Sequence, residues 1–102
     1  MMANRSKDWN ESLAKELRDL DFAAEFIMAS IEEGATIQEA LTKVIRLYGV
    51  IEFAKLANMA SPNVIRSINP RYNPTQQTLN RLLQPFGLII GVRPASIALA
   101  AA

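Results

Sequence analysis

The chain has 102 residues and a mass of 11.3 kDa, the size of one small domain. Half of it is apolar and 21% is charged, which suits a packed core and argues against disorder. It has no cysteine and no histidine, which excludes disulfides, thiolate or imidazole metal sites, and any Ser/His or Cys/His nucleophile pair.

The net charge of +1 hides an asymmetry. Residues 1–49 hold six basic and nine acidic side chains, a net of −3, whereas residues 50–102 hold five and one, a net of +4. Such a division directs the search for a polyanionic partner to the second half. The opening MMANRSKDW has no apolar run of the signal-peptide kind. The most apolar stretch, Phe86 to Ala102, is broken by Arg93 and Pro94 and is shorter than the roughly 20 residues a membrane span needs. A soluble, cytoplasmic protein is expected, with no membrane partner.

Taken in chain order, helix signals dominate. Trp9, Leu13, Leu17 and Leu20 recur at helical spacing and predict a first helix from about Asp8 to Arg18, with Trp9 read chiefly as core. Asp19 can cap a second, with Phe22, Ala23, Phe26, Ile27 and Ile31 on one face and Gly34 as its stop. Thr36 and Glu39 have capping-box spacing. They open a third helix, lined by Ile37, Ala40, Leu41, Val44, Ile45 and Tyr48 and ended by Gly49. Val50 to Ala57 reads as two helical turns, followed by a tight turn in which Asn58 takes positive φ. Ser61-Pro62 and Asn73-Pro74 each read as a cap followed by a first helical residue. The first opens a helix to about Ile68 and the second a helix from Pro74 to about Gln84, with Gln76 completing a capping box. Leu88 to Val92, between Gly87 and Pro94, reads as a short strand.

The pair Val50–Ala57 and Ser61–Ile68 has the dimensions of a helix-turn-helix, whose second helix enters the DNA major groove. Val64 and Ile68 must face the core, which leaves Ser61, Asn63, Ile65 and Arg66 outward. Arg66 suits guanine O6/N7, Asn63 adenine, and Ile65 a thymine methyl. Lys55, Arg71, Tyr72 and Asn73 are candidates for the phosphate backbone. The competing reading is an ordinary helical protein with a solvated arginine. Residues 50–81 carry Lys55, Arg66, Arg71 and Arg81 against only Glu52. Four positive charges favour DNA but imply two copies for firm binding.

These residues resemble a known family. The opening Asp8-Trp9-Asn10-Glu11, the run Leu17-Arg18-Asp19-Leu20-Asp21-Phe22-Ala23-Ala24-Glu25-Phe26, Glu32-Glu33-Gly34, the helix from Ile37 to Gly49, Asn73-Pro74-Thr75 with Thr78-Leu79, and Gly87-Leu88 through Val92-Arg93-Pro94 stand in the order seen in HigA-like antitoxins. These are the addiction-module antidote proteins with a Cro/repressor-type helix-turn-helix, and the likeness covers about residues 8–94. It implies a cytoplasmic antitoxin that binds a RelE/HigB-type ribonuclease and represses its own operon as a dimer. The family's recognition helix falls on Ser61, Pro62, Asn63, Val64, Ile65 and Arg66. The chain departs from the family in having Asn58 where Gly is common, Ala60 where Ser or Thr is, and Glu52 where a neutral Gln meets phosphate. The Ala60 departure allows Ser61-Pro62 to start the recognition helix one residue later.

No motif marks the toxin-binding residues. The acidic first helices (Glu11, Glu16, Asp19, Asp21, Glu25) complement a basic ribonuclease, and an ordinary solvated face is the competing reading. Leu88, Ile89, Ile90 and Val92 are read as a dimer interface, because no second strand stands out to pair with them. The small-residue tail after Pro94 resembles a protease-recognition tag, against the plainer reading of a frayed terminus.

The expectation is therefore a single all-α domain over residues 1–102. It is a lambda-repressor-like bundle of five to six helices: N-terminal helices over 8–34, a helix-turn-helix core over 36–86, a strand over 88–92 and a tail over 95–102. It is expected to bind double-stranded operator DNA and a toxin, to take no metal or cofactor, and not to be an enzyme, since it has no phosphate loop, serine elbow or tuned acid–base pair. A prophage-type repressor without a toxin, or an interaction module that has lost DNA binding, remain alternatives.

Overall fold

A computed structural model describes residues 2–94 and the side chains of residues 9–94. The described residues are helical, with no strand among them. The first helix, α1 (Met2–Glu16), ends two residues earlier than its periodicity predicts. The cause is Asp19, which leaves helical geometry (φ −76°, ψ 112°) to cap α2 (Leu20–Glu32), its carboxylate accepting the Asp21 and Phe22 amides. Leu13 and Leu17 anchor α1 in the core, whereas Trp9 is 67% exposed and not core. The turn that bears Trp9 lies one turn beyond Leu13, where no described residue covers it.

The third helix, α3 (Ile37–Tyr48), touches α1, α2, α4 and α6 and forms the centre of the bundle. Its start is the capping box the sequence predicts. The Thr36 hydroxyl accepts the Glu39 amide at 3.0 Å, and the Glu39 carboxylate accepts the Thr36 amide at 2.8 Å. Leu41, Val44 and Ile45 are fully buried, with Ala23 and Ile27 of α2 beside them. Ile31, expected on the same α2 face, lies at its edge and is exposed.

One residue, Gly49, ends α3 and starts α4 (Val50–Ala57): its amide donates to Ile45 O and its carbonyl accepts the Phe53 amide. It needs φ 112°, and any Cβ there would collide with the Glu52 carboxylate, which folds back over the amino end of α4. Phe53 is fully buried, stacked on Phe86 at 5.6 Å between ring centroids and edge-on to Tyr48 at 6.2 Å. The Arg18 guanidinium lies over the Tyr48 ring, 5.4 Å from its centroid.

The remaining elements are α5 (Ser61–Ser67), α6 (Gln76–Leu83) and a 3₁₀ turn over Gln84–Phe86. Two starts differ from expectation. Ala60, not Ser61, is the cap residue of α5, its carbonyl accepting the Asn63 and Val64 amides, so Ser61 and Pro62 are the first two helical residues. In α6 the cap is Thr75, whose hydroxyl accepts the Thr78 amide, and Pro74 is buried just outside the helix. Residues 88–92 form no strand, because the described residues offer them no strand to pair with. They run along α6 instead, with the Leu88 amide on Leu83 O and the Ile90 amide on Asn80 Oδ1. The tail over 95–102 lies outside the described residues. No described helix is long and apolar enough to cross a membrane.

The Thr36 backbone amide first, and its hydroxyl second, hold the Glu39 carboxyl below the usual carboxylate range. A depressed folded value means that its stabilisation is present above the unfolded pKa and lost as pH falls through the folded one. Thermal unfolding of wild type and Glu39→Gln is therefore expected to differ at pH 7 and to converge in acid.

Candidate nucleic-acid interface

The short helices α4 and α5 meet at a turn whose geometry follows from one residue. Asn58 is left-handed (φ 55°, ψ 49°), as its place in the sequence requires. The Met59 amide then reaches back to Ala54 O at 2.9 Å and the Asn58 amide to Lys55 O at 3.2 Å, closing α4 with both bonds of a Schellman motif. From α6, the Arg81 guanidinium donates to the Asn58 carbonyl at 2.8 Å, so the turn is tied to the helix behind it.

Beyond the turn, α5 is only seven residues long and depends on its neighbours. Val64 and Ile68 are buried as the spacing predicts, and the buried Ser67 hydroxyl donates to Asn63 O. Its last carbonyls are met from α3. Gln38 Nε2 lies 2.8 Å from Ser67 O, 3.0 Å from Asn69 O and 3.0 Å from Tyr72 O, sharing its two hydrogens among three acceptors. The Thr42 hydroxyl divides its proton between Gln38 O and Ile68 O. Orphan carbonyls at a helix end need such partners, and here they also fix the loop that follows. Within that loop Asn69 Oδ1 accepts the Arg71 amide.

The predicted site residues separate into two groups. Asn63, Arg66 and Tyr72 come together with Gln77, Thr78 and Arg81 around one cleft of about 270 Å³ between α5 and the start of α6. Ile65 is 54% exposed on the outer side of α5, with Ser61 half-buried at its first position. Lys55 on α4 and Arg71 and Asn73 in the loop are exposed but are not among the residues lining the cleft. Three contributors lie outside the site that the sequence marks, Gln77, Thr78 and Arg81. Arg81 stands out there only as one more positive charge, and nothing in the local pattern marks Gln77 or Gln38.

The chemistry of the cleft is that of a hydrogen-bonding, cationic surface: two guanidiniums, two amides, two hydroxyls (Ser67 and Thr78) and a phenol. Such groups hold phosphate oxygens and base edges. Among the described residues no group of three or more acidic side chains could hold a metal ion. Comparison with known proteins finds no matching family model, no matching curated sequence and no matching solved structure.

Two substitutions test how the surface is held. Asn58→Gly is expected to leave stability unchanged or raise it, whereas Asn58→Val should cost about 1–2 kcal/mol in urea unfolding, the strain of a left-handed side chain. Gln38→Leu should cost about 1–3 kcal/mol, since carbonyls lose their donor, and speed amide exchange in residues 69–73.

Proposed function

We propose that this protein is a DNA-binding repressor of the helix-turn-helix type and the antitoxin partner of a RelE/HigB-type toxin. The observation that carries the DNA reading is the surface of α5. With Val64 and Ile68 fixed inward, Asn63, Ile65 and Arg66 face solvent on one short helix, flanked by Arg71, Tyr72 and Arg81. In this reading α4 braces α5, α5 enters the major groove, and the loop before α6 meets the phosphates. Glu52 is the one acid on α4. Its carboxylate folds over the start of its own helix, where the helix dipole favours it.

The toxin reading rests on the resemblance to HigA-like antitoxins and on the opposite end of the charge asymmetry. Glu11, Glu16, Asp21 and Glu25 are exposed on α1 and α2, while Asp19 is engaged as a cap. Trp9 stands exposed on α1 among them, the kind of residue that anchors protein interfaces. A basic ribonuclease complements that surface. The protein then works in the cytoplasm, without metal or cofactor and without catalysis of its own.

Fluorescence anisotropy with the duplex upstream of the gene tests the DNA reading. Log affinity should fall linearly with log salt, and Arg66→Ala should cost about 1–3 kcal/mol and relax preference at a guanine position. Binding unchanged by Arg66→Ala would falsify that role for Arg66. Co-purification with the product of the neighbouring gene tests the second part, and Trp9→Ala should weaken that complex at unchanged thermal stability. A neighbouring basic protein that does not co-purify would leave a repressor alone.

A further inference from the structure

A second groove, of about 330 Å³, lies between α3 and the end of α5. Thr42, Lys43 and Arg46 of α3 line one side of it, and Ile68 and Pro70 the other. Unlike the cleft between α5 and α6, its walls are mainly apolar. Ile68 is buried and Thr42 half-buried, whereas Lys43, Arg46 and Pro70 are exposed. Lysine and arginine stems supply apolar wall while their charged ends stay in water. The charges at the rim do not cancel. Lys43 and Arg46, three positions apart, are neighbours on the exposed face of α3. Glu39 is the one acid among the lining residues, and its carboxylate already accepts the Thr36 amide at 2.8 Å.

We propose that this groove binds a small anionic amphiphile, with an apolar body of about eight carbons and a carboxylate head. The body lies against Pro70 and the two stems, and the head meets Arg46 and Lys43 at the rim. The volume falls at the lower end of the roughly 300–1,000 Å³ of small-ligand sites, which suits such a molecule better than a docked helix. The apolar wall gives a bare phosphate nothing to bury, and the two cations favour a charged head over a neutral one.

Occupation has a consequence for the loop before α6. Gln38 and Thr42 line the groove and also hold that loop, Gln38 through the Ser67, Asn69 and Tyr72 carbonyls and Thr42 through the Ile68 carbonyl. A ligand that fits the groove as it stands binds this arrangement better than one with the loop detached, so it stabilises the held loop. The site and this effect stand on the groove alone. Only its use, as an effector that orders Arg71 and Tyr72 for phosphate contact, rests on the DNA reading proposed above.

Titration of the full chain with octanoate, followed by proton–nitrogen NMR, tests the proposal without DNA, so its failure is separate from failure of the DNA reading. A dissociation constant of about 1 mM or tighter is expected. Shifts should centre on the Gln38 side-chain amide and the Asn69, Arg71 and Tyr72 backbone amides. The Arg71 and Tyr72 amides are hydrogen-bonded to Asn69 Oδ1 and Asn69 O, and their exchange should slow about twofold or more at saturation. Arg46→Glu, at an exposed position, should weaken octanoate about tenfold or more with the helical circular dichroism unchanged. 1-Octanol lacks the charge and inorganic phosphate lacks the body, so each should bind about tenfold more weakly or worse. No binding, shifts centred elsewhere, octanol or phosphate matching octanoate, indifference to Arg46→Glu, or unslowed exchange would overturn the proposal.

Discussion

Phe53 is the residue on which the rest of this structure depends. Its ring is fully buried, stacked on Phe86 and met edge-on by Tyr48. It thereby joins the end of α3 and the adjoining short helix α4 to the 3₁₀ turn after α6, which lies far along the sequence. Burying such a ring stabilises by about 1.5–3 kcal/mol, more than an eight-residue helix gains from its own hydrogen bonds in water. With α4 fixed in this way, the Schellman turn at Asn58 sets the direction in which α5 leaves, and Arg81 and Gln38 hold the two ends of the result. The candidate surface is thus built by tertiary contacts on very short elements, each marginal alone.

That dependence explains which parts of the molecule are legible in its sequence. Signals that act within four residues are legible: the Thr36–Glu39 box, the Asp19 cap, the left-handed Asn58, the glycines at helix ends, and the inward Val64 and Ile68. Expectation and structure part where neighbouring residues compete for one role. Ser61 and Thr75 both carry hydroxyls near a proline, and only the second caps its helix, because the Ala60 carbonyl already takes the first amides of α5. Trp9 follows the helical period but lies beyond what covers α1, a fact that depends on helix packing and not on spacing. Gln38 bonds to a residue 29 positions away and Arg81 to one 23 positions away, and nothing local can reveal such bonds. The strand expected over 88–92 rests on composition alone; the single chain supplies α6 and Asn80 as its neighbours instead.

The charge asymmetry takes on a spatial meaning. Glu11, Glu16, Asp21, Glu25 and Glu32 lie exposed on α1 and α2, and Arg66, Arg71 and Arg81 lie exposed on α5, the following loop and α6. A single chain can in this way present one surface to a basic protein and another to a polyanion, with α3 between them.

The central claim is that the outward side of α5 reads a duplex sequence. Selection of bound duplexes from a randomised pool tests this without an operator having to be chosen beforehand. The account predicts enrichment of a two-fold symmetric site, with a guanine under Arg66 in each half and half-site centres about 34 Å apart or a multiple of it. A pool that stays random through repeated rounds at low salt would contradict it.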